Sequence, residues 1–193
     1  MILVARHGET EANRQRLALG RADPPLTERG VEQAAALAER LATSGIEIVF
    51  TSPLLRARET AAPIAAAAGA EVVVDDRLVE LDYGEWDGKQ FPDLPPDALA
   101  RWRNDPTFAP PGGESLRAVA TRVAGFCTEV LDGPSVVAVS HVSPIKGAVT
   151  WALGAGEELG WRMFLDLASI TRIAGRDGQA SLVGFNDISH LRS

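Results

Sequence analysis

Residues 2–13 read ILVARHGETEAN, and the fold turns on how this stretch is interpreted. Four apolar residues, Ile2 to Ala5, have the length and composition of a strand buried on both faces, and polarity begins without a spacer at Arg6 and His7. Strands of open α/β sheets read this way, and such sheets hold ligands at the carboxyl ends of their strands. Gly8 is expected to supply the turn. Glu9 and Thr10 stand where a helix can begin, so that its amides and Arg6 would make an anion site around His7. Taken alone, Arg6 and His7 fit a solvated turn better; the rest of the chain decides between the two.

The same pattern recurs. Ile46 to Phe50 reads as a second strand that breaks into Thr51 and Ser52, and Ser135 to Val139 as a further one that breaks into Ser140 and His141. Glu71 to Val74 is another strand, and Ser169 to Ala174 with Ala180 to Phe185, split by Asp177 and Gly178, read as a hairpin at one sheet edge.

Helices fill the intervals. Thr27 caps one running to about Thr43, with Val31, Ala34, Ala35, Ala38, Leu41 and Ala42 on one face and Gly45 as its stop. Ser52 and Pro53 open a second that carries Arg56 and Thr60 one turn apart and ends at Gly69. Arg58 faces elsewhere as a solvated cation. Glu114 to Leu131 is a third, with Leu116, Val119, Val123, Phe126 and Val130 inward, and Ser143 and Pro144 start a fourth that Gly154 stops.

Strands alternating with helices predict a three-layer α/β/α sandwich with a mostly parallel sheet and an antiparallel edge. In that topology Arg6, His7, Ser52, Arg56, Ser140 and His141 gather at one edge. From Asp75 to Pro111 acidic residues are mixed with Trp86, Phe91, Trp102 and repeated prolines. So long a segment without periodicity usually carries function, and about residues 76–112 read as a lid over the carboxyl edge, with a short helix near Pro96 to Arg103. Trp86, Phe91 and Trp102 either line the pocket or anchor this lid.

Bulk properties narrow the classes. The 193 residues suit one domain with a real core, and 46% apolar with 23% charged residues is ordinary for a globular protein. A formal charge of −7 with no basic run argues against nucleic-acid binding and against an acidic membrane surface, so an anionic ligand needs a local cluster of cations. The run after Ile2 is too short for a signal peptide, and no run approaches a membrane span. A single cysteine, Cys127, allows no internal disulfide and reads as a buried, inert thiol; a reducing cytoplasm fits.

Two arginines, two histidines and several helix amides describe a pocket for a dianionic tetrahedral group such as a phosphoryl. Paired histidines also suggest a metal site, but the flanking arginines repel a divalent cation and no carboxylate stands beside either histidine at ligand spacing. Neutral His7 becomes a competent nucleophile towards phosphorus if a backbone carbonyl holds its second ring nitrogen.

RHGET followed by Asn13 resembles the signature of the histidine phosphatase superfamily, the phosphoglycerate mutase-like proteins, and so do DPPLTERGVEQA, SPLLRARET, LVELDYGEWDG, PGGES and VSHVSPIK, in the family's order, with a compatible tail at FNDISHL. The resemblance implies that His7 attacks phosphorus to give a phosphohistidine, that Arg6, Arg56 and His141 bind the phosphoryl oxygens with Asn13 nearby, and that Glu80 is the proton donor, with Asp82 as its rival.

Three departures stand out. Val142 follows the second histidine where many members have glycine, narrowing the pocket mouth beside the substrate. Ala22 occupies a loop position that is often polar, and Lys146 replaces a frequent arginine, either as a surface cation or near the site. His190 reads as a docking or surface residue.

The implied protein is a metal-independent phosphomonoesterase of a small phosphorylated metabolite, a phosphosugar or phosphoglycerate type of ester, with no cofactor, nucleic-acid or membrane partner, as monomer or homodimer. The rivals are a cofactor-dependent phosphoglycerate mutase, an α-ribazole phosphate phosphatase and a noncatalytic phospho-ligand sensor.

Overall fold

Each anticipated strand is present in the computed structural model, which describes residues 1–191. They are β1 (Ile2–Arg6), β2 (Ile48–Thr51), β3 (Glu71–Val74), β4 (Val136–Ser140), β5 (Ile170–Arg176) and β6 (Gln179–Asp187). They form one sheet in the order β3-β2-β4-β1-β5-β6. The first four run parallel, and β5 pairs antiparallel with both β1 and β6. The antiparallel edge is therefore a two-stranded hairpin, closed by Asp177 and Gly178, both at positive φ as a tight right-twisted turn requires.

Alternation along the strands builds three layers. Ile2, Val4, Val136 and Ala138 pack into one core with residues of α5 (Leu116–Val130) and α6 (Val142–Leu153). Leu3, Ala5, Val137 and Val139 pack into the other with α2 (Glu28–Leu41) and α3 (Leu55–Ala68). Successive side chains of a strand point to opposite faces, so the fully apolar runs of β1 and β4 follow from cover on both sides. Cys127 is in the first core, where burial pushes its thiol up to about 12. Among the described residues no helix is long and apolar enough to cross a membrane.

Thr27 caps α2 as expected, its hydroxyl accepting from the Gly30 amide at 3.1 Å, but the inner face differs from the expected one. Val31, Ala35 and Ala42 face solvent, and Gly30, Gln33, Ala34, Leu37, Ala38 and Leu41 are buried. The apolar stripe is disguised because two of its positions hold a glycine and a glutamine that touch the β1 turn. The Gln33 side chain accepts from the Glu9 amide at 2.8 Å.

Gly8 does not serve the expected purpose either. Its φ is not in the left-handed region. A Cβ on Gly8 would sit 2.5 Å from the Gly30 carbonyl oxygen, and one on Gly30 would sit 2.2 Å from that of Glu9, so two backbones cross with no room for a side chain. Gly8→Ala is expected to cost about 3 kcal/mol through backbone overlap, read as a lowered urea midpoint with unchanged m-value.

α3 starts at Leu55 rather than Pro53, with Leu54 in the cap position, because the Ser52 hydroxyl is directed to a histidine described below. Gly69 ends α3 in the left-handed conformation, φ 66°. Between β3 and α5 the chain makes short single turns, then α4 (Pro96–Asn104), in place of a sheet-forming segment. Its aromatic residues pack on one another: Trp102 lies edge-on to Tyr83 and Trp86 and stacks on Phe91, and Trp86 meets Phe108. A single-turn helix, α1 (Glu11–Arg14), follows the β1 turn.

Candidate active site

Strand register brings the chemistry together. Arg6, the last residue of β1, pairs with Ser140, the last of β4, and Thr51 at the end of β2 pairs with Val139. His7, His141 and Ser52 are therefore neighbours just past one edge, with the His7 amide donating to the Ser140 carbonyl and the Ser52 amide to that of Val139. The two imidazole rings lie 5.0 Å apart between centroids.

His7 Nδ1 donates to the Gly8 carbonyl at 2.7 Å, which fixes the proton on Nδ1 and leaves the Nε2 lone pair free. Burial, then the charges of Arg6 and Arg56, hold its pKa well below the ordinary imidazole value. The turn is braced by the Gly8 amide, which donates to Thr60 Oγ1, whose hydroxyl in turn donates to the Arg56 carbonyl. His141 is fully buried and also held neutral by burial and by Arg56. Its Nε2 lies 2.7 Å from Ser52 Oγ; with the serine hydroxyl donating to Nε2, the histidine proton sits on Nδ1.

The arginines are incompletely paired. Arg6 donates through Nη1 to the Leu165 carbonyl at 2.6 Å. Arg56, with no exposed surface, donates to the carbonyls of Ala22 at 2.7 Å and Gly20 at 2.8 Å, so the loop after α1 closes over it. Arg6 Nε, Arg56 Nε and His141 Nδ1 are all buried without a hydrogen-bond partner. Orphaned buried donors are rare because each forfeits its hydration. Three in one cluster around His7 fit an anion with several oxygens.

Glu80 approaches the same cluster from the segment after β3. It is buried, and its carboxylate accepts from the amides of Leu81 (2.7 Å), Val142 (3.0 Å) and Ser143 (3.1 Å), the last two being the first residues of α6. Ser140 turns away from the cluster and donates to the Leu78 carbonyl at 2.6 Å, pinning the stretch that carries Glu80. Asn13 Oδ1 accepts from the Thr10 amide and hydroxyl in a reciprocal cap of α1.

A cavity of about 290 Å³ opens on this edge. Arg6, His7, Asn13, Glu80 and Val142 line it, whereas Arg56 and His141 are fully buried and not part of its wall, with Arg56 Nε and His141 Nδ1 still free of partners. Of the three aromatics between β3 and α5, Phe91 and Trp102 reach the cavity and Trp86 packs against Trp102. Lys146 also lines it. Arg58 is exposed as expected, and the Ala22 carbonyl accepts from Arg56. Asp82 is not at the cavity: its carboxylate accepts from the Gly84 amide. His190 docks through Nε2 on the Ala168 carbonyl.

Tyr83 and Trp161 are wall residues that the sequence did not flag. Trp161 sits in a short turn, Glu157–Arg162, with no periodic signal. A signal did exist on α6: Ser143, Lys146, Gly147 and Thr150, spaced at helical intervals along one face, all line the cavity.

Residues 2–188 match the family model of the histidine phosphatase superfamily, branch 1. The chain belongs to that superfamily. A bifunctional protein of Mycobacterium tuberculosis is 43% identical over 98% of this chain but only 54% of its own length, so the chain spans about half of that relative. Phosphoserine phosphatase 1 of Hydrogenobacter thermophilus is 34% identical over 98% of this chain and 93% of the relative. Among solved structures, mycobacterial glucosyl-3-phosphoglycerate phosphatase complexed with VO3 aligns with a TM-score of 0.88 at 30% identity, covering 96% of this chain and 98% of that one.

Two neutral buried histidines make stability depend on pH. Their folded pKa values lie below the unfolded value of about 6.5. The unfolded chain therefore takes up protons first as pH falls. Their contribution is fully present above pH 6.5 and is lost as pH drops through that value towards the folded pKa values. The expected slope is up to about 2.7 kcal/mol per pH unit, and added inorganic phosphate should oppose the loss. Urea unfolding at pH 7, 6 and 5, with and without phosphate, measures both.

Proposed function

We propose that the chain is a phosphomonoesterase that needs no metal ion and hydrolyses a small phosphorylated metabolite in the cytoplasm, through a phosphohistidine on His7. The observation that carries this reading is the pairing of a lone pair on His7 Nε2, fixed by the Gly8 carbonyl, with three unpartnered buried donors around it. An imidazole ringed by cations repels a divalent metal and attracts a phosphoryl group.

In the first step Nε2 of His7 attacks phosphorus in line and the bond to the leaving oxygen breaks. Glu80, entering the cycle as the carboxylic acid, gives that oxygen its proton and is left as the carboxylate, so the alcohol departs neutral. Arg6, Arg56 and His141 hold the equatorial oxygens, where charge gathers in the transition state, with Asn13 and the Val142 edge of the pocket beside them. In the second step water attacks phosphorus, Glu80 takes the water proton, the phosphorus–nitrogen bond breaks, and inorganic phosphate leaves.

The relatives named as phosphatases of phosphoserine and of glucosyl-3-phosphoglycerate support a small phosphate monoester as substrate. The test is turnover of para-nitrophenyl phosphate in excess chelator, combined with an alkaline quench that preserves an acid-labile phosphoenzyme. Hydrolysis with such an intermediate is expected. Binding of phosphate without turnover would make the protein a sensor. A requirement for a phosphorylated priming cofactor, with phosphoglycerates interconverted faster than phosphate is released, would make it a mutase.

A further inference from the structure

The half of the cavity away from His7 is built unlike a site for a small charged amino acid or hydroxy acid. Its wall is aromatic: Trp102 stacks on Phe91 with the rings 7° from parallel, and Trp161 meets Trp102 edge-on at 4.6 Å. Leu116 extends the apolar surface. Flat rings with an exposed or cavity-facing side bind another apolar plane through displaced water and dispersion.

Two donors in this wall have no acceptor within the described residues. Trp102 is 2% exposed, and its indole N–H is buried without a partner. Lys146 is half-buried against the cavity, its stem running beside Gly160, and it makes no ion pair among the described residues. The carboxylate in the same half is already used: Glu157 is gripped by Arg117 through Nε and Nη2. An incoming ammonium group therefore finds no unpaired anion in this half, and an incoming carboxylate or carbonyl finds a free N–H and the Lys146 ammonium, which feels the Glu80 charge across the cavity but makes no ion pair with it.

We infer that the leaving group is a flat, apolar ring bearing an anionic or hydrogen-bond-accepting edge, with Lys146 and the Trp102 N–H reading that edge. Hydrolysis as proposed above is presupposed. The cavity is at the small end of small-molecule sites, which limits the ring system to one of modest size.

Esters of primary alcohols test this at nearly matched leaving-group pKa: benzyl phosphate, its para-carboxylate derivative, phosphoserine and 3-phosphoglycerate. Benzyl phosphate should exceed phosphoserine in kcat/KM by about tenfold or more, and the ring carboxylate should add a further gain. In Lys146→Met the carboxylated ester should fall about tenfold further than benzyl phosphate does, because one charge-assisted contact is removed from one substrate only. Trp161→Ala, at a partly exposed position, should raise KM for both benzyl esters more than it alters inhibition by inorganic phosphate.

Phosphoserine or 3-phosphoglycerate matching the benzyl esters would overturn the inference, as would a Lys146→Met loss equal for both benzyl esters. Either result leaves the phosphatase reading intact. If none of the four esters turns over and no phosphoenzyme is trapped, it is that reading which fails.

Discussion

Replacing His7 with asparagine should lower kcat on the order of 10⁴-fold or more for every phosphate ester, with the phosphoenzyme no longer trapped, while inorganic phosphate still binds within about threefold of the parent. The split follows from the division of labour at the sheet edge. Arg6, Arg56 and His141 supply the unpartnered donors, and none of their contacts runs through the His7 side chain. His7 supplies a lone pair. Burial and two guanidinium charges keep that lone pair unprotonated well below pH 6.5, so the acid limb of the wild-type rate profile should not fall at the ordinary imidazole pKa.

Asparagine preserves much of the volume and can still donate to the Gly8 carbonyl, so the turn braced by Thr60 should survive. Circular dichroism and thermal unfolding check that the loss is chemical. A variant that keeps its activity would mean that phosphorus is attacked by another group and would remove the central assumption of the mechanism. Phosphate binding lost together with activity would instead indicate a collapsed pocket.

Much of this arrangement was legible in the sequence because its causes are local. A strand buried on both faces must be apolar throughout, so the point where β1, β2 and β4 turn polar is marked by the residues themselves, at Arg6, Thr51 and Ser140. The carbonyl that fixes His7 belongs to the very next residue and needs no tertiary information.

What escaped depends on distant backbone. The role of Gly8 is set by the close passage of Gly30, more than twenty residues away, and no local pattern announces it. Arg56 is sealed by carbonyls of Gly20 and Ala22, groups that every residue possesses and that sequence therefore cannot mark. Ser140, polar at a strand end, is expected at the same edge and stands there, yet its hydroxyl is spent on the Leu78 carbonyl. Trp161 reaches the cavity only because Trp102 meets it from another segment.

Glu80→Gln should separate the two chemical steps. A glutamine cannot give a proton to an alkoxide, so kcat/KM for esters of ordinary alcohols should fall about 10²- to 10⁴-fold, whereas para-nitrophenyl phosphate, whose leaving group departs without a proton, should lose little in kcat/KM. The second step has no such escape, because the attacking water still needs a base. With para-nitrophenyl phosphate the variant should therefore show a burst of nitrophenol followed by a slow steady state, and the phosphoenzyme should accumulate.

Geometry adds a second cost. Both carboxylate oxygens of Glu80 accept backbone amides, so in either orientation the glutamine NH₂ faces at least one amide N–H and must turn away. Asp82→Asn is the control, since Asp82 serves the Gly84 amide outside the cavity, and it should retain the time course of the parent. If Asp82→Asn produced the burst and Glu80→Gln did not, the acid would be Asp82, and the amides at the start of α6 would be orienting a residue that takes no part in proton transfer.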